Sequence, residues 1–105
     1  MNEVMIERIN NLIPIGTVLK LNGMDKKIMI TTYVLQDEAD YVGVLWPIGD
    51  YDKDTKFAFR TGDIEKIYFR GLEDEYFQLY KKALIEVAQN GDMPENANDV
   101  EVIEN

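Results

Sequence analysis

The sequence predicts an α+β domain: a short N-terminal helix, a four- to five-stranded antiparallel meander, and a long C-terminal helix packed on the sheet. Apolar residues recur at helical spacing near the start and over residues 73–89, which predicts the helices. Between them, residues 17–70 are rich in β-branched and aromatic residues broken by short polar turns. We expect the sheet to curl into a half-barrel, because a flat sheet would leave two edges uncovered.

The N-terminal helix is predicted from apolar residues on one helical face. They are Val4, Met5, Ile9 and Leu12. Pro14 prevents this helix from continuing, and Gly16 marks the turn into the sheet.

Five strands are predicted, separated by turn signals. They cover residues 17–21, 27–35, 40–46, 56–60 and 64–70. Gly43 lies inside the third strand and indicates a bulge or a close backbone approach. Because side chains alternate across a strand, we expect Tyr68 and Phe69 to point to opposite faces.

The C-terminal helix has the strongest pattern in the chain. Its apolar stripe consists of Tyr76, Leu79, Tyr80, Ala83, Leu84 and Val87. The acidic residues 73–75 fall in its first turn, where the helix dipole favours negative charge.

We expect residues 1–90 to form one domain and residues 91–105 to form an acidic, flexible tail. The tail holds five acidic residues and no basic one, so it contributes -5 of the net charge of -9. It has too little apolar surface to offset its ordering entropy. The patch at residues 100–103, VEVI, is the exception and could add an edge strand.

The composition argues against an enzyme. The chain has no Cys, no His and no Ser, so it lacks the usual nucleophiles, proton-transfer groups and soft metal ligands. Its glycines do not form a phosphate-binding spacing. We therefore expect a non-enzymatic protein without a cofactor.

One acidic loop resembles the start of a calcium site. Asp50, Asp52 and Asp54 alternate, but an EF-hand loop needs Gly and Glu where this chain has Thr55 and Thr61. We expect a solvated turn without a metal, and a metal-assisted hydrolase is the alternative reading of this cluster.

The acidic balance also limits the partners. With 20 acidic and 11 scattered basic residues, the chain lacks the basic patch that nucleic acid requires. No apolar run approaches the length of a membrane-spanning helix, so no membrane insertion is expected. No basic cluster precedes the first apolar residues, so we expect no signal peptide and a cytoplasmic location.

The aromatic residues of the strands suggest a binding surface. One sheet face should pack on the long helix and leave the other partly exposed, and an apolar surface rimmed by acidic residues is typical of protein-binding patches. The candidate protein-binding residues are Tyr41, Trp46, Tyr68, Phe77 and Ile85. The alternative is that these side chains only complete the core. An exposed edge strand leaves homo-oligomerisation open.

Four segments together resemble one bacterial family. They are LIPIGTVL at residues 12–19, KIMI at 27–30, DYVGV at 40–44 with Gly49, and DIEKIYFRG at 63–71 with the acidic residues 73–75. In this order they resemble the family catalogued as domain of unknown function 4176, found in Firmicutes. The chain differs from it at Trp46, where a smaller aromatic residue is usual.

The resemblance implies a setting beside genes for LXG toxins and type VII secretion systems. It implies a cytosolic chaperone or adaptor that binds an LXG toxin, or its export machinery, before export. It supplies no catalytic residues. The alternative is an immunity protein that neutralises a neighbouring toxin, since small acidic inhibitors suit basic toxins.

Overall fold

The computed structural model describes residues 3–90 and confirms the α+β architecture. The elements are α1 (Glu3–Asn10), β1 (Val18–Leu21), β2 (Lys27–Gln36), β3 (Ala39–Leu45), β4 (Lys56–Phe59), β5 (Ile64–Phe69) and α2 (Glu75–Gln89), with 3-10 turns at Lys53–Thr55 and Thr61–Asp63. The predicted tail at residues 91–105, with its VEVI patch, lies outside the described residues. Asp74 caps α2, because its carboxylate accepts a hydrogen bond from the Phe77 backbone N at 3.1 Å.

The five strands form one antiparallel sheet in the order β4-β3-β2-β1-β5. The first four strands are a meander, as predicted. The fifth departs from that pattern, because β5 pairs with β1 at the opposite edge from β4. The edge strands of the described sheet are therefore β4 and β5.

A short connection shows that this sheet is strongly curled. Only residues 60–63 join β4 to β5, whereas the edges of a flat five-stranded sheet lie about 19 Å apart. Three of these four residues form a 3-10 turn, which advances only about 2 Å per residue. The turn also contacts β3 and the residue that follows β1, since Tyr41 Oη lies 2.7 Å from Thr61 Oγ1 and Asn22 N donates to Asp63 O at 2.9 Å. The two edges therefore approach each other, as a half-barrel requires.

One face of the sheet packs against both helices. The core joins residues from the strands to residues from α1 and α2; its most buried members are Ile9, Leu19, Ile28, Ile30, Tyr41 and Leu84. Tyr80 of α2 stacks on Tyr33 of β2, with ring centroids 5.8 Å apart. The long helix therefore covers one sheet face, as the sequence predicted.

An ion pair fixes α1 to the hairpin of β2 and β3. Arg8 Nη2 lies 2.7 Å from Asp40 Oδ1, and the Asp40 side chain is almost fully buried. Arg8 also donates to Ala39 O at 3.1 Å, and Thr61 N donates to Asp40 Oδ2 at 3.3 Å. The buried carboxylate is thus held by donors from two other parts of the chain.

At two glycines the backbone lies very close to another segment of the chain. A Cβ atom at Gly43 would lie 2.5 Å from Ile28 Cγ2, and one at Gly71 would lie 2.3 Å from Ile15 O. The prediction of a close approach at Gly43 is confirmed. Gly71 N donates to the buried Thr17 Oγ1 at 3.0 Å, which fixes the chain as it leaves β5.

Candidate protein-binding groove

The sheet face that points away from the helices carries an apolar groove of about 510 Å³. Its lining residues are Gly16, Val18, Lys27, Met29, Trp46, Tyr68 and Phe69. These residues come from β1, β2 and β5, from the turn before β1 and from the end of β3. We call this feature the open-face groove.

Side chains alternate between the two faces of a strand, and this alternation determines which residues of β1 and β2 line the groove. In β1, Leu19 faces the core, so its neighbour Val18 faces the groove. In β2, Ile28 faces the core, while Lys27 and Met29 face the groove, with Met29 paired to Val18. The lining therefore follows from the period of two that defines each strand.

Trp46 enters the groove from the end of β3. Its backbone N donates to Lys27 O at 2.9 Å, which extends the pairing of β3 with β2 by one residue. The indole is 48% exposed, so nearly half of the largest side chain in the protein remains open to a ligand.

A bulge in β5 brings Tyr68 and Phe69 to the same groove. Phe69 pairs with Val18 and Ile67 pairs with Leu19, which leaves Tyr68 as an extra residue without a register partner. Both aromatic side chains then line the groove and stay exposed, at 43% and 62%. The prediction that they point to opposite faces is therefore wrong, because it assumed regular alternation.

Three lysines lie side by side on neighbouring strands at the groove, and one of them, Lys27, lines it. Lys20 pairs with Lys27 on one side and with Lys66 on the other. The Nζ atoms of Lys27 and Lys66 lie 4.8 and 5.0 Å from the centroid of the Tyr68 ring. Sequence reasoning expected an acidic rim, whereas this groove has a basic one.

The lysines differ in their ionic partners. Lys20 Nζ donates to Glu65 Oε2 at 2.9 Å, and this hydrogen bond raises the pKa of Lys20. Among residues 3–90, neither Lys27 nor Lys66 forms an ion pair with a carboxylate. Their ammonium groups instead contact the ring of Tyr68.

Of the five candidate residues, the structure brings Trp46 and Tyr68 together in the groove. Tyr41 is fully buried, and its hydroxyl accepts a hydrogen bond from Ile13 N at 3.1 Å. Phe77 is buried and Ile85 is half-buried, and both pack into the core on the helix side. These three residues stabilise the fold and do not line the groove.

Sequence reasoning missed most of the groove. Because Leu19 and Ile28 face the core, alternation along their strands could have identified their neighbours Val18 and Met29 as residues of the opposite face. Phe69 could not be found in this way, because only the pairing of β5 with β1 reveals the bulge.

Comparison with known proteins identifies the family. The family model described as Domain of unknown function (DUF4176) matches residues 12–78, which is more than half of the chain. The chain belongs to the DUF4176 family. The comparisons with curated proteins and with solved structures found no match.

The DUF4176 match includes every residue that lines the open-face groove. The matched residues run from the segment before β1, through the whole sheet, into the first turn of α2. Within residues 3–90, neither helix has the length and apolar character needed to span a bilayer.

The acidic loop of this DUF4176 domain is held by a capping hydrogen bond and an ion pair. Asp52 caps the 3-10 turn Lys53–Thr55, because its Oδ1 accepts from Asp54 N at 2.9 Å. Asp50 lies 3.6 Å from Lys56 Nζ. No group of three side chains suited to holding a metal ion occurs among the described residues.

The tyrosines with shifted pKa values lie in the core. Burial raises the pKa of Tyr33 and of Tyr41, and it raises the pKa of Tyr80 to about 12. Tyr33 donates to Ile13 O at 2.7 Å, so this hydroxyl is already engaged in the fold. The groove itself offers aromatic faces, a thioether and ammonium groups, which suit binding to a polypeptide.

Proposed function

We propose that this domain is a non-enzymatic accessory factor that binds a polypeptide partner in the open-face groove. One observation carries the proposal: Trp46, Tyr68 and Phe69 lie together on one surface and each keeps more than 40% of its area exposed. Aromatic residues are enriched at the energetic centres of protein interfaces.

The edge strand beside the groove supports the same proposal. In the described sheet β5 is an edge, and five of its six residues are exposed. An edge strand presents unpaired N–H and C=O groups, to which an extended segment of a partner can add. A partner segment could thus contact the groove with its side chains and β5 with its backbone.

We propose further that the partner is an LXG toxin exported by a type VII secretion system, and that the domain acts in the cytoplasm as its chaperone or adaptor. Membership of the DUF4176 family supports this assignment, together with the gene setting that the family resemblance implies. The apolar groove suits a client segment that must stay unaggregated before export.

A second candidate function is immunity against a neighbouring toxin. The net charge of -9 favours it, because an acidic inhibitor associates readily with a basic toxin domain. In that case the acidic loop around Asp50 and Asp52 would be the contact surface, and the basic rim of the groove would not.

Co-expression with an LXG toxin encoded beside this gene tests the proposal. We expect the two chains to co-elute in size-exclusion chromatography, and we expect Tyr68→Ala with Trp46→Ala to abolish the complex. Tyr51→Ala is the matched control, since Tyr51 is 68% exposed and does not line the groove.

A cellular assay distinguishes the two candidates. For a chaperone, deletion of the gene lowers the amount of toxin in the medium and leaves the producing cell viable. For an immunity protein, deletion leaves export intact and makes the cell sensitive to the toxin domain.

A further inference from the structure

The open-face groove has exposed aromatic side chains and a lysine rim, and both features suit an occupant that is apolar and acidic. Its floor and walls expose aromatic side chains, and its rim carries Lys27 and Lys66 without a carboxylate partner among residues 3–90. Lys20, which is paired with Glu65, lies between them in the register, so three ammonium groups stand on neighbouring strands and two of them lack a carboxylate partner within residues 3–90. Like charges on adjacent strands are destabilising, and an acidic, apolar segment would relieve them.

The chain itself contains such a segment. Residues 91–105 hold five acidic residues and no basic one, whereas residues 3–90 hold 15 acidic and 11 basic residues. The segment also carries three β-branched apolar residues, Val100, Val102 and Ile103, interleaved with Glu101. It therefore supplies both the apolar contacts and the carboxylates that the groove lacks.

The segment is long enough to reach the groove. Helix α2 ends at Gln89 on the helix side of the sheet. The ten residues 91–100 can span about 35 Å when extended. The protein measures 39 × 31 × 24 Å, so this length exceeds two of its three dimensions.

We propose that residues 91–105 bind in the open-face groove of their own chain, with the VEVI patch on the aromatic residues and the carboxylates at the lysine rim. A tethered segment has an effective concentration of about 1 mM. An intrinsic Kd of about 0.1 mM would therefore keep the groove roughly 90% occupied. Because a partner polypeptide is proposed for the same groove, the partner would have to displace the segment; if the segment does not bind, the proposed function is unaffected.

Trp46 reports on the groove directly, because it lines the groove and is the only tryptophan in the chain. In the full-length protein, we expect Asp99→Lys, Glu101→Lys and Glu104→Lys together to shift the Trp46 emission to longer wavelength. We expect the constant for acrylamide quenching to rise about twofold as the segment leaves the groove. Salt near 1 M should also raise the quenching constant of the wild type, because it screens the attraction between the carboxylates of the segment and the lysines.

A charge swap separates docking from a general change in structure. Lys27→Glu with Lys66→Glu should expose Trp46 in the same way, and combining these changes with the three tail substitutions should restore its protection. Lys82→Glu is the matched control: this exposed lysine lies on α2, does not line the groove, and should leave quenching unchanged.

Three results would overturn the proposal. The first is equal quenching of the wild type and the tail variant, with circular dichroism showing both folded. The second is loss of protection in the groove variant without recovery in the charge swap. The third is protection that weakens on dilution together with a dimeric mass, which would place the segment on a second copy of the chain.

Discussion

Lys27 on β2 places its Nζ 4.8 Å from the centroid of the Tyr68 ring on β5, although β1 lies between the two strands. Lys66 approaches the same ring at 5.0 Å. The phenol ring therefore contacts two ammonium groups while 43% of the side chain stays exposed. This arrangement fixes an aromatic side chain on the surface without burying it.

Substitutions in the groove should affect binding much more than folding. An exposed cation–π contact contributes about 0.5–1 kcal/mol, so we expect Tyr68→Ala to lower the free energy of unfolding by about 1 kcal/mol. Phe77→Ala, in the core, should cost about 3 kcal/mol or more. Urea unfolding followed by circular dichroism measures both, and equal losses would contradict the placement of Tyr68 on an exposed surface.

Loss of the Arg8–Asp40 pair should destabilise the domain strongly. Asp40→Ala leaves Arg8 partly buried without its carboxylate, and we expect the free energy of unfolding to fall by about 2–4 kcal/mol. The control is Lys56→Ala, which breaks an exposed pair with Asp50 and should cost less than about 1 kcal/mol. Similar losses in the two variants would show that α1 is not held by this ion pair.

Gly71→Ala tests the close approach after β5. A Cβ atom there would lie 2.3 Å from a backbone oxygen, Ile15 O, which cannot rotate away as a side chain could. We expect a loss of about 1–3 kcal/mol, which thermal unfolding would detect as a lower Tm. Gly62→Ala, where the added atom meets nothing within 4 Å, is the control and should have little effect.

The buried tyrosines predict a loss of stability at alkaline pH. Their pKa values in the folded state are raised above the usual value of about 10, and that of Tyr80 is about 12. The folded state holds these protons more tightly than the unfolded state does. The protonated tyrosines therefore contribute fully to the free energy of unfolding below about pH 10, and this contribution is lost as the pH rises through their pKa values in the folded state. Urea unfolding across this range measures the decline.

Tyr80→Phe is the control for that pH dependence. It removes one of the shifted groups, so the free energy of unfolding should fall less steeply above about pH 10 than in the wild type. Ionisation of all six tyrosines near pH 10, without any change in stability, would contradict the burial of these hydroxyls.

The elements governed by local sequence were predictable. Pro14, the dense β-branched pattern of β2 and the stripe of α2 each act within a few residues, and the structure places those elements close to the predicted bounds. The acidic start of α2 was also predicted, and the structure adds that Asp74 is its cap.

The features that depend on distant pairing could not be predicted. The pairing of β5 with β1 joins two strands that are far apart in the sequence, and no local pattern of residues reveals it. The bulge at Tyr68 and the basic rim both follow from that pairing. Tyr41 was assigned to a binding surface because its strand pattern does not reveal that Ile13 N and Thr61 would satisfy its hydroxyl in the core.

The most direct test of the central claim is the affinity of the purified domain for a co-expressed LXG toxin, measured by isothermal titration calorimetry. For Trp46→Ala with Tyr68→Ala we expect a loss of at least about 3 kcal/mol, or more than a hundredfold in Kd, with Tyr51→Ala unchanged. A complex that forms with undiminished affinity when both groove residues are replaced would contradict the account.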